Sequence, residues 1–183
     1  MTHFDTAGRE NTEQTLQLAL ARARQLGIRE VVVATSKGDT ARRALELAEG
    51  LRIVAVTYHC GFKTPFKASM TEAARRELEQ QGATVVAGSH ALSGVERSIA
   101  AKHGGIYPAL LMAETLRLFG QGTKVAVEIA VMAADAGALS GEDVVAVGGT
   151  GRGADTALVL KPAHQNNLFD LRIRETICKP RDF

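Results

Sequence analysis

Four glycines and one arginine follow directly on an apolar run in Val144-Val145-Ala146-Val147-Gly148-Gly149-Thr150-Gly151-Arg152-Gly153-Ala154-Asp155-Thr156. Glycine lets backbone N–H groups turn toward a ligand, and an arginine fork matches the oxygens of phosphate or carboxylate, so the loop suits an anion. An ordinary glycine-rich turn is the alternative for such a loop taken alone. A second segment, Val31-Val32-Val33-Ala34-Thr35-Ser36-Lys37-Gly38-Asp39-Thr40-Ala41, repeats the grammar: apolar strand, small hydroxyl-bearing turn, helix start. Free N–H groups and the dipole at that helix start favour phosphate, with Thr35, Ser36 and Thr40 as hydroxyl donors. The bland alternative is that Ser36, Asp39 or Thr40 caps the helix, which at least one of them is expected to do, and that Lys37 is simply exposed. Arg152 would supply the charged clamp, and Asp155 would accept from a ligand hydroxyl or orient Arg152.

Two further loops carry titratable or aromatic groups, Tyr58-His59-Cys60-Gly61-Phe62-Lys63 and Gly88-Ser89-His90-Ala91-Leu92-Ser93-Gly94. His59 and His90 are candidate acid–base groups because imidazole titrates near neutrality; ligand contact or a structural role is the commoner fate of each. Phe62 is placed to stack on a planar ring, or to pack in the core. A zinc site from His59, Cys60 and His90 has no spacing to support it, and no metal site is expected. No Walker lysine, nucleophile elbow or dinucleotide glycine fingerprint occurs. The expected contact set takes in the loop Thr35 to Thr40 with Gly38, then Thr57, His59, Gly61 and Phe62. It continues with Gly88 and His90 to Leu92, and closes with the loop Gly149, Thr150, Gly151, Arg152, Gly153, Ala154 and Asp155.

The elements that must position these loops follow from periodicity. Leu16, Ala19, Leu20 and Ala23 recur at helical spacing over 11–26, between Asn11 or Thr12 as cap and Gly27 as stop. Strands are predicted at about 30–35, 51–57, 83–87, 143–148 and 157–160. Helices are predicted at 40–49, from a Ser69-x-x-Glu72 capping box to Gly82, at 95–102, at 108–119 behind Pro108, and at 122–136 before Gly137. Alternation of strand and helix implies a mainly parallel sheet covered on both faces. The link between the fourth and fifth strands is too short for a parallel crossover, so the fifth should return antiparallel. A five-stranded sheet of order 3-2-1-4-5 follows, with a switch point between the first and fourth strands where ligands bind in open α/β sheets. An antiparallel fifth strand would deliver the C-terminal segment, from Lys161, to the end of the sheet away from the site. Leu171, Ile173 and Ile177 there suit packing along an edge or against another subunit, and a homo-oligomer is expected.

Composition excludes other classes. One domain of 183 residues with 22 basic against 20 acidic residues, net charge +2, gives no electrostatic reason to expect nucleic acid or membrane as partner. Arg42-Arg43 and Arg75-Arg76 fall in helical patterns and read as solvated faces. Aromatic content is 4% with no Trp, so no ladder exists for stacking single-stranded bases. Cys60 and Cys178 stand alone as reduced thiols, and no N-terminal apolar run is present, which together imply a cytoplasmic protein.

Several runs resemble a known family nearly end to end: Glu10-Asn11-Thr12-Glu13, His90-Ala91-Leu92-Ser93-Gly94-Val95-Glu96-Arg97, Phe119-Gly120-Gln121-Gly122-Thr123-Lys124-Val125-Ala126-Val127-Glu128-Ile129-Ala130, Gly148 to Thr156, and Ile177-Cys178-Lys179-Pro180-Arg181-Asp182-Phe183. They are similar to the stand-alone proteins that look like the C-terminal domain of pyruvate kinase. The resemblance implies a three-layer α/β/α domain without the catalytic barrel, hence no pyruvate kinase activity. It also implies binding of a phosphoryl ligand at the loop after the first strand, where the kinase domain holds the phosphate of an allosteric sugar bisphosphate. Lys37 and Asp39 depart from the small or different residues common there. In some members the resemblance points to flavin mononucleotide, with phosphate at Thr35 to Thr40 and ring between Phe62, His90-Ala91-Leu92 and the Gly149 to Asp155 loop. A small metabolic enzyme is the alternative, either a flavin-dependent oxidoreductase or one acting on a phosphorylated metabolite, with His90 or His59 as acid–base group and Arg152 as clamp.

Overall fold

The alternation of side chains along the central strands determines the layering. On β2 (Glu30–Ala34), Val31 and Val33 face one side and Val32 the other; on β5 (Val144–Gly148), Val145 and Val147 oppose Val144 and Ala146. All are buried, so both faces of the sheet need a cover. One cover is α1 (Thr12–Leu26), whose Leu16, Ala19, Leu20 and Ala23 pack on the Val31 and Val145 side. It stops where Gly27, in the left-handed conformation at φ 68°, turns its N–H back to Ala23 and Arg24 carbonyls. The other cover is α6 (Gln121–Asp135), against Val32, Val54 and Ala146. The computed structural model describes every residue, Met1–Phe183.

The remaining elements are β1 (Thr2–Thr6), α2 (Asp39–Leu47), β3 (Arg52–Tyr58), α3 (Glu72–Gln80), β4 (Thr84–Gly88), α4 (Glu96–His103), α5 (Pro108–Arg117), β6 (Thr156–Lys161) and β7 (Arg172–Asp182). Pro108 stands at the first position of α5, where its missing N–H costs nothing. The helix α3 is capped by Thr71, whose hydroxyl accepts from Ala74 N at 3.2 Å; the expected Ser69 capping box does not form. No helix is long and apolar enough to cross a membrane.

The sheet has seven strands, not five, in the order β1-β7-β6-β5-β2-β3-β4. The five strands predicted from the sequence lie side by side within it, and β6 runs antiparallel to β5 with Gly148 opposite Thr156. The two added strands lie beyond β6. β7 pairs antiparallel with it through two register shifts, and β1 pairs parallel with β7, Thr2 opposite Cys178. Neither strand shows clean alternation: Phe4 is the only buried side chain of β1, and β7 opens on three exposed residues. Because β7 reverses direction again, the C-terminus returns to the end of the sheet that carries the glycine loop, against the expectation that it would lie away. Lys179 Nζ donates to Phe119 O at 3.3 Å, just ahead of α6.

Candidate functional site

The turn after β2 is tied from within. Thr35 N donates to Val56 O at 2.9 Å, the Thr35 hydroxyl accepts from Gly38 N at 3.0 Å, and the Thr57 hydroxyl donates to Ser36 O at 3.0 Å. Gly38 is the cap residue of α2 at φ 110°, and no side chain caps the helix. Ser36, Asp39 and Thr40 therefore do not fill the capping role expected of one of them, and the first-turn N–H groups point out without a side-chain acceptor. Ser36 instead pairs its hydroxyl with Tyr58 OH at 3.0 Å.

The loop from Gly149 to Asp155 is held in shape by contacts that only glycine permits. A Cβ at Gly149 would sit 2.5 Å from Gly153 O, and one at Gly153, itself at φ 77°, 2.3 Å from the Thr12 hydroxyl. Ala154 N donates to that hydroxyl at 3.0 Å. Asp155 is wholly buried and turned inward: its carboxylate accepts from Gly8 N, Thr150 N and the Thr156 hydroxyl at 3.2, 3.1 and 2.8 Å. It braces the loop, contacts neither cavity described below, and makes no hydrogen bond to Arg152.

Two adjoining cavities open between these loops. The smaller, about 360 Å³, has no apolar wall. Four cations line it, Arg9, Lys37, Lys63 and Arg152, and none of them has a carboxylate partner; the one acid, Asp39, is paired with Arg42 at 3.1 Å. The larger, about 470 Å³, shares Thr35, Ser36, Thr40, Gly151, Arg152 and Gly153 with it. Its aromatic wall is Tyr58, Phe62 and His90, with ring centroids 4.7 Å apart for Tyr58 and Phe62 and 4.4 Å for Phe62 and His90. Arg97, also without a carboxylate partner, lies over Phe62 at 5.2 Å. Thr57, Leu92 and Gly149 line the same space.

Deep in the larger cavity lie two charges that the sequence reading did not single out. Lys124 and Glu128, one turn apart on α6, form an ion pair with side chains 7% and 3% exposed. Glu128 also accepts from Leu92 N at 3.0 Å, so it anchors the loop after β4. Burial pulls the Lys124 ammonium below its ordinary range despite that partner. Burial likewise lowers His90, with Glu128 opposing and Lys124 reinforcing, which favours neutral imidazole. His90 Nδ1 is sealed from solvent and meets no hydrogen-bond partner. The cue in the sequence was the pair itself: two charges four apart within the buried stretch of α6.

Of the other expected contacts, Gly38, Gly61, Gly88, Ala91, Thr150 and Ala154 line neither cavity. His59 stands outside as well, its Nδ1 bonded to Cys60 O at 2.7 Å and its ring edge-on to Phe62. Besides Lys124 and Glu128, the polar and aromatic liners that the expected set omitted are Arg9, Thr12, Lys63, Tyr58, Ser93, Arg97, Glu114, Arg117 and Gln121. Arg9 and Thr12 arrive from the far N-terminal segment, a juxtaposition made by β1 and α1 packing beside the hairpin.

A family model described as the pyruvate kinase alpha/beta domain matches residues 13–160. The chain belongs to that family. The match begins within α1 and ends within β6, so it covers the five strands that carry the site and leaves out β1 and β7. Among solved structures the chain is similar to Cryptosporidium parvum pyruvate kinase in complex with ADP, at 15% identity and a TM-score of 0.38. That likeness covers 81% of this chain and 22% of that one, so the chain spans under a quarter of that enzyme's length.

Proposed function

We propose that this pyruvate kinase alpha/beta-type domain binds a phosphorylated small molecule with a planar ring, flavin mononucleotide fitting best, and that it does so without pyruvate kinase activity. One observation carries this reading: four cations without ion-pair partners line a purely polar cavity that runs into a larger one with a three-ring aromatic wall. Cations left unpaired at a surface cleft cost nothing when an anion completes them, and charge-assisted bonds to phosphate are the strong ones. The uncapped start of α2 adds backbone N–H donors to the same cavity. A volume of about 470 Å³ is in the range of small-molecule sites. Arg152, on a loop fixed by Asp155 and Gly153, stands where both cavities meet and would take the phosphate.

The visible spectrum of the purified protein, with mass spectrometry of what denaturation releases, tests the reading. Flavin bands and the mass of flavin mononucleotide are expected, or, for protein purified empty, uptake of flavin mononucleotide at least tenfold tighter than of riboflavin. A protein that takes neither and is heat-stabilised only by a sugar phosphate sinks the flavin assignment and keeps the phosphate one.

His90 favours a second reading, a small enzyme. A neutral imidazole on a cavity wall, beside a charged pair and within reach of an anion clamp, can exchange a proton with a bound metabolite. His90→Ala that keeps ligand affinity while abolishing turnover supports it; unchanged turnover removes His90 from catalysis.

A further inference from the structure

The ion pair lining the larger cavity is a costly way to anchor the loop after β4. α6 buries twelve residues, and the charged ones among them are Lys124 and Glu128 alone. Burying two charges costs more than a well-packed apolar pair would, so such a pair is poor support for stability and calls for another role. Its bonding is also incomplete. An ammonium has three donors, and Lys124 uses one, on Glu128 Oε2. Each Glu128 oxygen has one partner, Lys124 on Oε2 and Leu92 N on Oε1, which leaves acceptor capacity on both. Donor and acceptor thus stand side by side at the bottom of a cavity walled by stacked rings, with the unpartnered His90 Nδ1 nearby.

We propose that Lys124 and Glu128 form a second recognition subsite, which reads the edge of a planar heterocycle bearing adjacent C=O and N–H groups, as in a lactam or ureide. Lys124 donates to the carbonyl and Glu128 accepts from the ring N–H, while the aromatic wall of Tyr58, Phe62 and His90 covers the ring face. The phosphate is held separately, in the cationic cavity. The inference rests on the proposed binding of a phosphorylated planar ligand and adds which ring chemistry the cavity selects. A buried polar pair rejects a ligand that cannot complete it far more strongly than an apolar wall rejects a wrong shape. Selectivity for the ring edge is therefore expected to sit in these two residues.

The test measures dissociation constants for flavin mononucleotide and uridine monophosphate, for their 3-N-methyl derivatives, and for inorganic phosphate. Each is measured on the wild-type protein and on the double variant Lys124→Met, Glu128→Leu. The double variant replaces both charges at once, so neither is left buried alone, and thermal unfolding checks its integrity. At least one of the two nucleotides is expected to bind wild type more tightly than phosphate, and N-methylation to weaken it tenfold or more. In the double variant the penalty for methylation disappears while phosphate affinity changes less than twofold. Uridine monophosphate passing where flavin mononucleotide fails would refute the flavin assignment and leave the subsite standing. The subsite is overturned if methylation has no effect on wild type, if the double variant discriminates as wild type does, or if neither nucleotide exceeds phosphate. Should the double variant not fold, Lys124→Met, Glu128→Gln with the same ligands decides: it too leaves no charge buried alone, it retains an acceptor for Leu92 N, and loss of the methylation penalty is again the supporting result.

Discussion

The two ends of the sheet differ in the charge they leave unpaired. At the amino ends of the parallel strands a depression of about 1020 Å³ runs past Glu30, Arg52, Asp143, Arg174 and Glu175, all ion-paired, and the two charges there without a partner, Arg29 and Glu142, are of opposite sign. Glu30 is the clearest case: buried, it takes Arg52 on one oxygen and both the Ser140 N–H and hydroxyl, at 3.1 and 2.8 Å, on the other. At the carboxyl ends the cavities are smaller, yet Arg9, Lys37, Lys63, Arg97 and Arg152 lack carboxylate partners. Size alone would select the other end. On the proposed binding, a surplus of unpaired charge of one sign marks the end whose bonding a ligand completes.

The comparison can be broken at either end. The largest effect is expected from Lys124→Met alone, which strands Glu128 as a buried unpaired charge and should cost about 3–5 kcal/mol in urea unfolding, against about 1–3 kcal/mol for the double replacement, which leaves only Leu92 N without its acceptor. At the opposite end, Glu30→Leu should cost about 1–3 kcal/mol by leaving Ser140 N without its acceptor. Phosphate affinity should not change, and a loss of binding there would undo the division of labour. Arg152→Ala should do the reverse. Stability should stay within about 0.5 kcal/mol, as for exposed sites in general. Affinity for phosphorylated ligands should fall roughly tenfold to a hundredfold, the worth of about 1.5–3 kcal/mol for a charged hydrogen bond.

The smallest effect concerns His90. Its folded-state affinity for protons is below that of a free imidazole, so as pH falls below 6.5 the unfolded chain protonates first and stability declines. Lys124, His59 and Arg97 strengthen that effect and Glu128 opposes it. His90→Gln should flatten the decline in midpoint temperature between pH 7.5 and 5.5, a difference readable by calorimetry.

Strands β2 to β6 and all six helices were legible because their side chains obey a period, 2 or 3.6, imposed by burial on two faces or one. β1 and β7 were not: β1 is an edge strand that buries only Phe4, and β7, though paired on both sides, leaves most of its side chains exposed or half-buried, so charges mask the alternation. The anion loops were legible for a related reason: Gly149, Gly151, Gly153 and Arg152 are a local pattern, and so are Thr35, Ser36 and Thr40. Tertiary partners were not. Arg9 and Thr12 reach the site only through the packing of α1, and Asp155 turned out to brace its loop because Gly8 N, distant in sequence, supplies a donor. Residue type told what each group can do, and distance along the chain concealed which groups would meet.

The pairing of Thr2 with Cys178 joins nearly the first residue to nearly the last. Closing so long a loop has the highest entropic cost of any contact in the molecule, and it brings reward only once the strands between are in place. β1 is therefore expected to dock last and to leave first. Weakening it, as with Phe4→Ala, should quicken unfolding in denaturant jumps while leaving the refolding rate nearly unchanged. The same strand carries the chain toward Gly8 and Arg9. Occupancy of the cationic cavity by the proposed anion should then slow unfolding of a sheet edge that lies outside it.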